Sequence, residues 1–200
     1  FIFQTKTEQC GSSKFWHQTG LIQLAWNDKE IIKQKNFLEN IKLPKEIICF
    51  IDALKASKKS GLDLKVNALW FEKGGWLDPV LFSNSILTNF SIDTLFEQKI
   101  RELVFDAENQ NWLLLREPNQ EVITAKNIVI ANSNDAKLFA QVSHLPSKPS
   151  RGQVTSIKHK ILKSSKTVVC GEGYLCPPVN DWHHFGASYD LKCNEPVIKD

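Results

Sequence analysis

The feature that most limits how this chain of 200 residues can fold is the separation of its strand patterns into blocks. Residues 18–26 read as a strand on Leu21, Ile22, Leu24 and Trp26. Residues 28–41 follow at helical spacing, with Ile31, Ile32, Lys35, Leu38 and Ile41 along one face. Pro44 suits the first turn of a second helix, predicted to run to about Ala56 through Ile47, Ile48, Ile51 and Leu54. A strand over 65–71 ends at Gly74-Gly75, and Asp78-Pro79 supplies an N-cap with proline at the first helical position for a helix to about Asn89. The pattern then turns to β. Residues 101–106 and 111–116 flank Glu108-Asn109-Gln110 as a hairpin, and 122–131 form a third strand whose run Ile128-Val129-Ile130 suits burial on both faces. A short helix is predicted over 134–142. After a linker at 146–149, strands at 151–157, 166–171, 174–177 and 183–188 alternate as in an antiparallel sheet. Two blocks of strands with a crossing linker describe a mixed α/β chain of two interleaved domains rather than one continuous sheet.

Composition narrows the class. Hydrophobic residues make up 42% and charged residues 24%, the balance of a globular domain and not of a disordered or collagen-like chain. No stretch approaches the roughly 18 consecutive apolar residues of a membrane span; the run at 47–51 is broken at once by Asp52. The chain contains no methionine and opens inside Phe1-Ile2-Phe3 without the flanks of a signal peptide, so it reads as an internal piece of a longer protein. Five cysteines form an odd count with no C-x-x-C pair, which points to a reducing, cytoplasmic setting and makes the Asn89-Phe90-Ser91 sequon accidental. Cys170, Cys176, His183, His184 and Cys193 lack the pairing of zinc ligands roughly two to four residues apart, and adjacent strand residues face opposite ways, so no metal is expected.

The net charge of +3 falls short of a strongly basic domain. Two runs are denser: Lys55, Lys58, Lys59, and Lys158, Lys160, Lys163, Lys166 around His159. Each run reads first as solvated surface and second as a contact for an RNA backbone, so the charge permits RNA without demanding it.

Generic catalytic signatures are missing. There is no G-x-G-x-x-G, no G-x-x-x-x-G-K-[ST] and no H-E-x-x-H, and Gly186-Ala187-Ser188 is not a nucleophile elbow. Two local features are more particular. Gly74-Gly75-Trp76-Leu77-Asp78-Pro79 joins a strand to a helix, either as a tight turn or as a place where a ligand meets backbone N–H groups. Arg151-Gly152-Gln153 opens a strand, and glycine there suggests close packing against the backbone.

Taken together, 68–79 (ALWFEKGGWLDP), 128–132 (IVIAN), 151–156 (RGQVTS), Gly173-Tyr174-Leu175, and His183-His184 with 186–189 (GASY) fall in a familiar order. They resemble the flavin-dependent oxidoreductase half of the bifunctional tRNA wobble-uridine modification enzymes, the MnmC family, within the D-amino-acid/glycine-oxidase (DAO) superfamily. Residues 21–29 (LIQLAWNDK) resemble the family's sequence before its first substrate-domain helix, and the resemblance covers most of 18–190. Arg-Gly-Gln alone is shared across the superfamily; the GGWLDP and HH…GASY combination is specific to this branch.

The resemblance implies a partial FAD-dependent DAO-type fold. Its antiparallel-sheet substrate domain would comprise 1–73 and 144–200, with a FAD-domain segment over 74–143 inserted and the Gly-rich Rossmann βαβ missing. It implies oxidative removal of the carboxymethyl group from 5-carboxymethylaminomethyl-(2-thio)uridine at the tRNA wobble position, giving aminomethyluridine and glyoxylate. Expected partners are FAD, tRNA and a methyltransferase half in the same full-length chain. By the same resemblance Tyr174, Arg151, Gln153, His184 and Ser188 would face the substrate. Gly74, Gly75, Ile100, Ala131, Asn132 and Gly152 would lie against the cofactor, and no single catalytic residue is assigned. Without the Gly-rich βαβ, the chain alone is expected to bind FAD weakly or not at all and to show no turnover. The family usually has one more residue between the His-His pair and Gly-Ala-Ser, where Phe185 stands alone here; a one-residue change in strand register turns every following side chain over. Two other readings stay open: a superfamily oxidase of a small amino acid such as glycine or sarcosine, and a non-catalytic RNA-binding module.

Overall fold

The computed structural model describes residues 15–90, 92–117 and 122–190. They divide into two compact units, 15–90 with 151–190, and 92–150.

The first unit is built on a seven-stranded sheet. Its strands are β2 (Leu21–Leu24), β3 (Ile48–Ile51), β4 (Ala68–Phe71), β9 (Arg151–Ile157), β10 (Val168–Cys170), β11 (Tyr174–Leu175) and β12 (His183–Asp190), in spatial order β3-β4-β2-β10-β11-β12-β9. Only β2 and β10 pair in parallel; they join the strands from the early part of the chain to those from the late part, and every other pairing is antiparallel. Strands far apart in sequence thus share one sheet.

Helix α1 (Asp28–Ile41) begins where Asn27 accepts a hydrogen bond from Glu30 N at 3.0 Å, and it spans the predicted range. Its inner face differs from the expected apolar row. Ile32, Lys35 and Ile41 are exposed, and the buried residue is Gln34, whose amide donates to the carbonyls of Gln23 (3.0 Å) and Leu24 (3.3 Å).

The predicted helix over 44–56 does not form. Ile48–Ile51 is strand β3, paired antiparallel with β4, and helix α2 (Ala53–Ser60) starts after it. The β-branched, aromatic stretch suits a pleated edge. Asp52 supplies the break by accepting from Lys55 N at 2.8 Å as an N-cap. Gly61 closes α2 with φ +76°, where a Cβ would also stand 2.0 Å from the Ser164 carbonyl oxygen. The core of this unit lies between sheet and helices, on Ile22, Leu24, Ile51, Ala56, Ala68, Trp70 and Val169.

A two-stranded ribbon, β1 (Trp16–His17) with β5 (Trp76–Leu77), carries no length signal in the sequence and was not expected. Helix α3 (Pro79–Asn89) follows β5 and matches the prediction: Asp78 accepts from the backbone N–H groups of Val80 and Leu81, both at 2.9 Å.

The second unit is the meander β6 (Ile100–Asp106), β7 (Asn111–Arg116) and β8 (Val122–Ala125). Asp106 holds its first turn by accepting from the Asn109 side chain and from the N–H groups of Asn109 and Glu108. These bonds, the Asn109 side chain foremost, keep the carboxyl below the usual carboxylate range. The third strand ends at Ala125 rather than at 131, because Ala125 already faces Trp112 and β7 begins only one residue earlier. Val129 is accordingly 88% exposed. The helix expected over 134–142 is a 3-10 turn over Ser133–Leu138; Ser, Asn and Asp in its first turn compete with the backbone for hydrogen bonds. No described helix is long and apolar enough to cross a membrane.

A cavity on the sheet face and the residues that line it

Register places the first candidate site. Cys170 of β10 faces Tyr174 of β11, and Tyr174 faces Gly186 of β12. Cys176 N donates to the His184 carbonyl, and His184 faces Ser156 of β9. With side chains alternating along each strand, Val168, Cys170, Tyr174, Cys176 and His184 come up on one face of the sheet. Over that face lie Trp76, Leu77, Asp78 and Pro79, the end of the ribbon and the start of α3, and between them is a cavity of about 520 Å3.

The walls are mainly apolar and the floor carries the polar groups. His184 Nδ1 is 2.8 Å from Ser156 Oγ. Burial raises the thiols of Cys170 and Cys176, the second to about 11 with Cys170 contributing, so both are protonated, weakly reactive groups near neutral pH. Trp76 stacks on His17 with ring centroids 4.0 Å apart and planes 7° apart. Its indole N–H is buried and has no hydrogen-bond partner among the described residues. His183, the neighbour of His184, is fully buried on the other side of the strand, as alternation requires.

The residues singled out from the sequence separate into groups. Tyr174 and His184 line the cavity together. Arg151, Gln153 and Ser188 form a cluster of their own at the far end of the β9–β12 pair: Arg151 Nη2 donates to Gln153 Oε1 at 2.6 Å, and Gln153 N donates to Ser188 Oγ at 3.2 Å. Gly152 sits between them with its nearest would-be Cβ neighbour, the Ser188 carbonyl oxygen, at 3.4 Å. A bulge in β12 between Phe185 and Ser188 sets the register at this end, Val154 of the partner strand being matched by the two residues Gly186 and Ala187.

What approaches Gly74 and Gly75 is the chain itself. A Cβ on Gly75 would stand 2.0 Å from the His17 carbonyl oxygen, and one on Gly74 2.8 Å from Leu21 Cβ. Ile100, Ala131 and Asn132 meet in the second unit, around a separate cavity of about 340 Å3 walled by Ile128, Leu138 and Phe139. Sequence reasoning missed Cys170, Cys176 and Trp76 as lining residues. The tryptophan lay inside a motif already noted, whereas the cysteines are placed by strand register, which the sequence alone does not carry. Among the described residues no cluster of three His, Cys, Asp or Glu side chains could hold a metal ion.

The geometry can be set against known proteins. The model of the family described as FAD dependent oxidoreductase, DAO, matches residues 6–198. The tRNA 5-methylaminomethyl-2-thiouridine biosynthesis bifunctional protein MnmC of Hahella chejuensis is 34% identical over 92% of this chain, and that of Pseudomonas syringae pv. tomato 32% over 88%. The chain spans about 30% and 26% of those relatives' lengths. Among solved structures, glycine oxidase from Geobacillus kaustophilus superposes with a TM-score of 0.80 at 15% identity, covering 99% of this chain and 56% of that one. L-proline dehydrogenase from P. horikoshii superposes at 0.78 and 16% identity, covering 96% and 54%. These two likenesses concern the fold: a mixed α/β chain with a mostly antiparallel sheet. With its family model matched almost end to end, this chain belongs to the FAD dependent oxidoreductases of the DAO family.

Proposed function

We propose that the polypeptide carrying this chain oxidises the carboxymethylaminomethyl group of a tRNA wobble uridine. The observation that carries this reading is the 34% identity to an MnmC protein over nearly the whole chain. The cavity on the sheet face, with Tyr174 and His184 on its floor, supports it.

The two cavities suit parts of FAD differently. Apolar walls around Ile100, Ala131 and Asn132, and around Trp76, suit flat rings. For a pyrophosphate the fit fails: Lys99 is the only Lys or Arg among the described residues lining either cavity, and the sequence has no G-x-G-x-x-G. The chain thus offers ring-facing and substrate-facing walls, and the phosphates would be held elsewhere in the polypeptide.

Bound FAD would supply the hydride acceptor. The chain's own residues would hold the substrate for that transfer. Tyr174 carries a hydroxyl that suits a carboxylate, and His184, its Nδ1 held by Ser156, has its second nitrogen to take the proton of a secondary amine. Loss of a hydride from the carbon between amine and carboxylate leaves an imine. Water then adds to the imine and splits it into glyoxylate and aminomethyluridine. Apolar walls keep the amine uncharged, the form from which a hydride leaves. Further parts of this reading are a tRNA substrate, a methyltransferase half in the same polypeptide and a cytoplasmic setting.

The test is incubation of the FAD-loaded natural polypeptide with tRNA bearing the carboxymethylaminomethyl group, followed by assay of glyoxylate and of the nucleoside. Stoichiometric glyoxylate and aminomethyluridine are expected. Oxidation of free glycine or sarcosine, with the tRNA left intact, would replace this reading with the small amino-acid oxidase.

A further inference from the structure

The two lysine runs, alike in sequence, differ in their surroundings. In the first, Lys55 pairs with Asp52 at 3.6 Å and Lys59 with Glu72 at 4.0 Å. Nearby Lys65 pairs with Asp63 at 2.7 Å. That surface is largely neutralised. The second run lies in a stretch, 151–171, with one arginine and four lysines and no aspartate or glutamate. Among the described residues Lys158 and Lys160 make no ion pair, and both are exposed with His159 between them.

An aromatic surface stands beside these cations. The Lys158 ammonium lies 5.0 Å from the centre of the Trp182 ring, and Trp182 keeps 43% of its surface exposed. Trp182 is tied to the cavity wall: its backbone exchanges two hydrogen bonds of 2.9 Å with Val179, which lines the cavity with His184. Lys158 follows Ile157, the partner of His183 across the β9–β12 pair. Trp182, through Val179, and Lys158, over the Trp182 ring, therefore stand at the rim of the cavity that holds His184, and His159 and Lys160 follow Lys158 directly in the chain. Asp181, next to Trp182, is the adjacent carboxylate, and the two lysines leave the rim net positive.

We propose that this rim receives a single-stranded segment of RNA, with a base stacked on Trp182 and phosphates against Lys158 and Lys160, next to the nucleotide that enters the cavity. Unpaired cations beside an exposed indole match the two repeating parts of a single strand, phosphate and base face. An acidic protein would use the charge and leave the indole unexplained. The proposal rests on the tRNA reading for its choice of RNA, and it assigns the contact surface, which that reading does not.

The test uses the FAD-loaded natural polypeptide and a fluorescein-labelled stem–loop RNA, with binding read by anisotropy across a salt series. Trp182→Ala is expected to weaken binding about tenfold, and Trp182→Phe to keep most of it. Lys158→Ala with Lys160→Ala should weaken binding and lower the slope of log Kd against log salt by roughly one to two. Lys55→Ala with Lys58→Ala, on α2, should change neither. Equal losses from the α2 pair, or full binding by both Trp182→Ala and the 158/160 pair, would overturn the proposal. So would equal loss of heparin binding in the Trp182 variant, which would mark a general polyanion patch or damage to the fold. Oxidation of the free modified nucleoside separates this from the functional reading: a polypeptide that oxidises it and binds RNA elsewhere refutes the rim alone, whereas one that oxidises neither nucleoside nor tRNA refutes the reaction.

Discussion

Ser156 Oγ and His184 Nδ1 face each other at 2.8 Å across the β9–β12 pair, fixing one imidazole nitrogen at the cavity floor and leaving the other outside that bond. The bond sets which way the ring stands. If His184 handles the amine proton, Ser156 acts as a positioning residue. Ser156→Ala should then lower kcat about fivefold, the worth of one ordinary hydrogen bond (about 1 kcal/mol), with KM little changed. Ser156→Thr, which keeps the hydroxyl, should restore it. Steady-state kinetics on the modified tRNA reads both; a Thr variant as slow as the Ala variant would refute the role.

Gly75 is needed by its own chain. A methyl group there would stand 2.0 Å from the His17 carbonyl oxygen, a backbone atom that moves only if the β1–β5 ribbon shifts. Gly75→Ala should cost about 1–3 kcal/mol, as overpacking does, and lower Tm by roughly 2–4 °C per kcal/mol. Gly152→Ala, whose nearest neighbour would be at 3.4 Å, is the comparison and should cost much less. Differential scanning calorimetry of the two variants decides; equal melting points would mean that the ribbon adapts.

The Gly74-Gly75 pair also shows what the sequence could and could not tell. A Gly-Gly between a strand and a proline-started helix announces a close approach, but not what approaches. The partner is His17, nearly sixty positions away in the chain, in a strand of two residues that no periodicity reveals. Helix α1 was legible from its apolar spacing and α3 from its cap, Asp78 before Pro79, both of them local signals. Strand β3 was misread because Ile47, Ile48 and Ile51 fit a helical spacing as well as a strand, and only pairing with β4 decides. For the site, Tyr174 and His184 were found through motif likeness. Cys170 and Cys176 join them through register alone, which a single sequence does not display.

The Cys176 thiol gives a pH dependence with a defined sign. Burial, with Cys170 nearby, raises it from 9.0 to about 11 in the folded chain. The folded state thus holds the proton more tightly than the unfolded one. The resulting stability is fully present below about pH 9 and is lost as pH rises through about 11. Urea unfolding of the natural chain should therefore show a falling midpoint over that window, and Cys176→Ala should flatten the fall. Alkylation by iodoacetamide at pH 8 should be slow at Cys176 while the fold holds and fast in urea. Rapid labelling of the folded chain would contradict the burial.

Flavin retention tests the proposed division of labour between this chain and a longer polypeptide that carries it. The linings around Ile100, Asn132 and Trp76 present apolar surface, which favours rings by burial. A pyrophosphate needs free N–H groups at a helix start or several cations; at the start of α3 Asp78 already accepts from Val80 N and Leu81 N, and Lys99 is the only lysine or arginine among the described residues lining either cavity. Ring burial without phosphate contacts gives weak binding, because the charged bridge must be desolvated with little in return. The 200-residue chain should therefore leave a desalting column without visible flavin absorbance, whereas the natural polypeptide should leave it yellow. Titrating the short chain with riboflavin and with FAD refines the point: similar, weak affinities are expected, since the adenosine diphosphate part would add little. Stoichiometric flavin on the short chain, or much tighter binding of FAD than of riboflavin, would mean that this chain holds the phosphates itself.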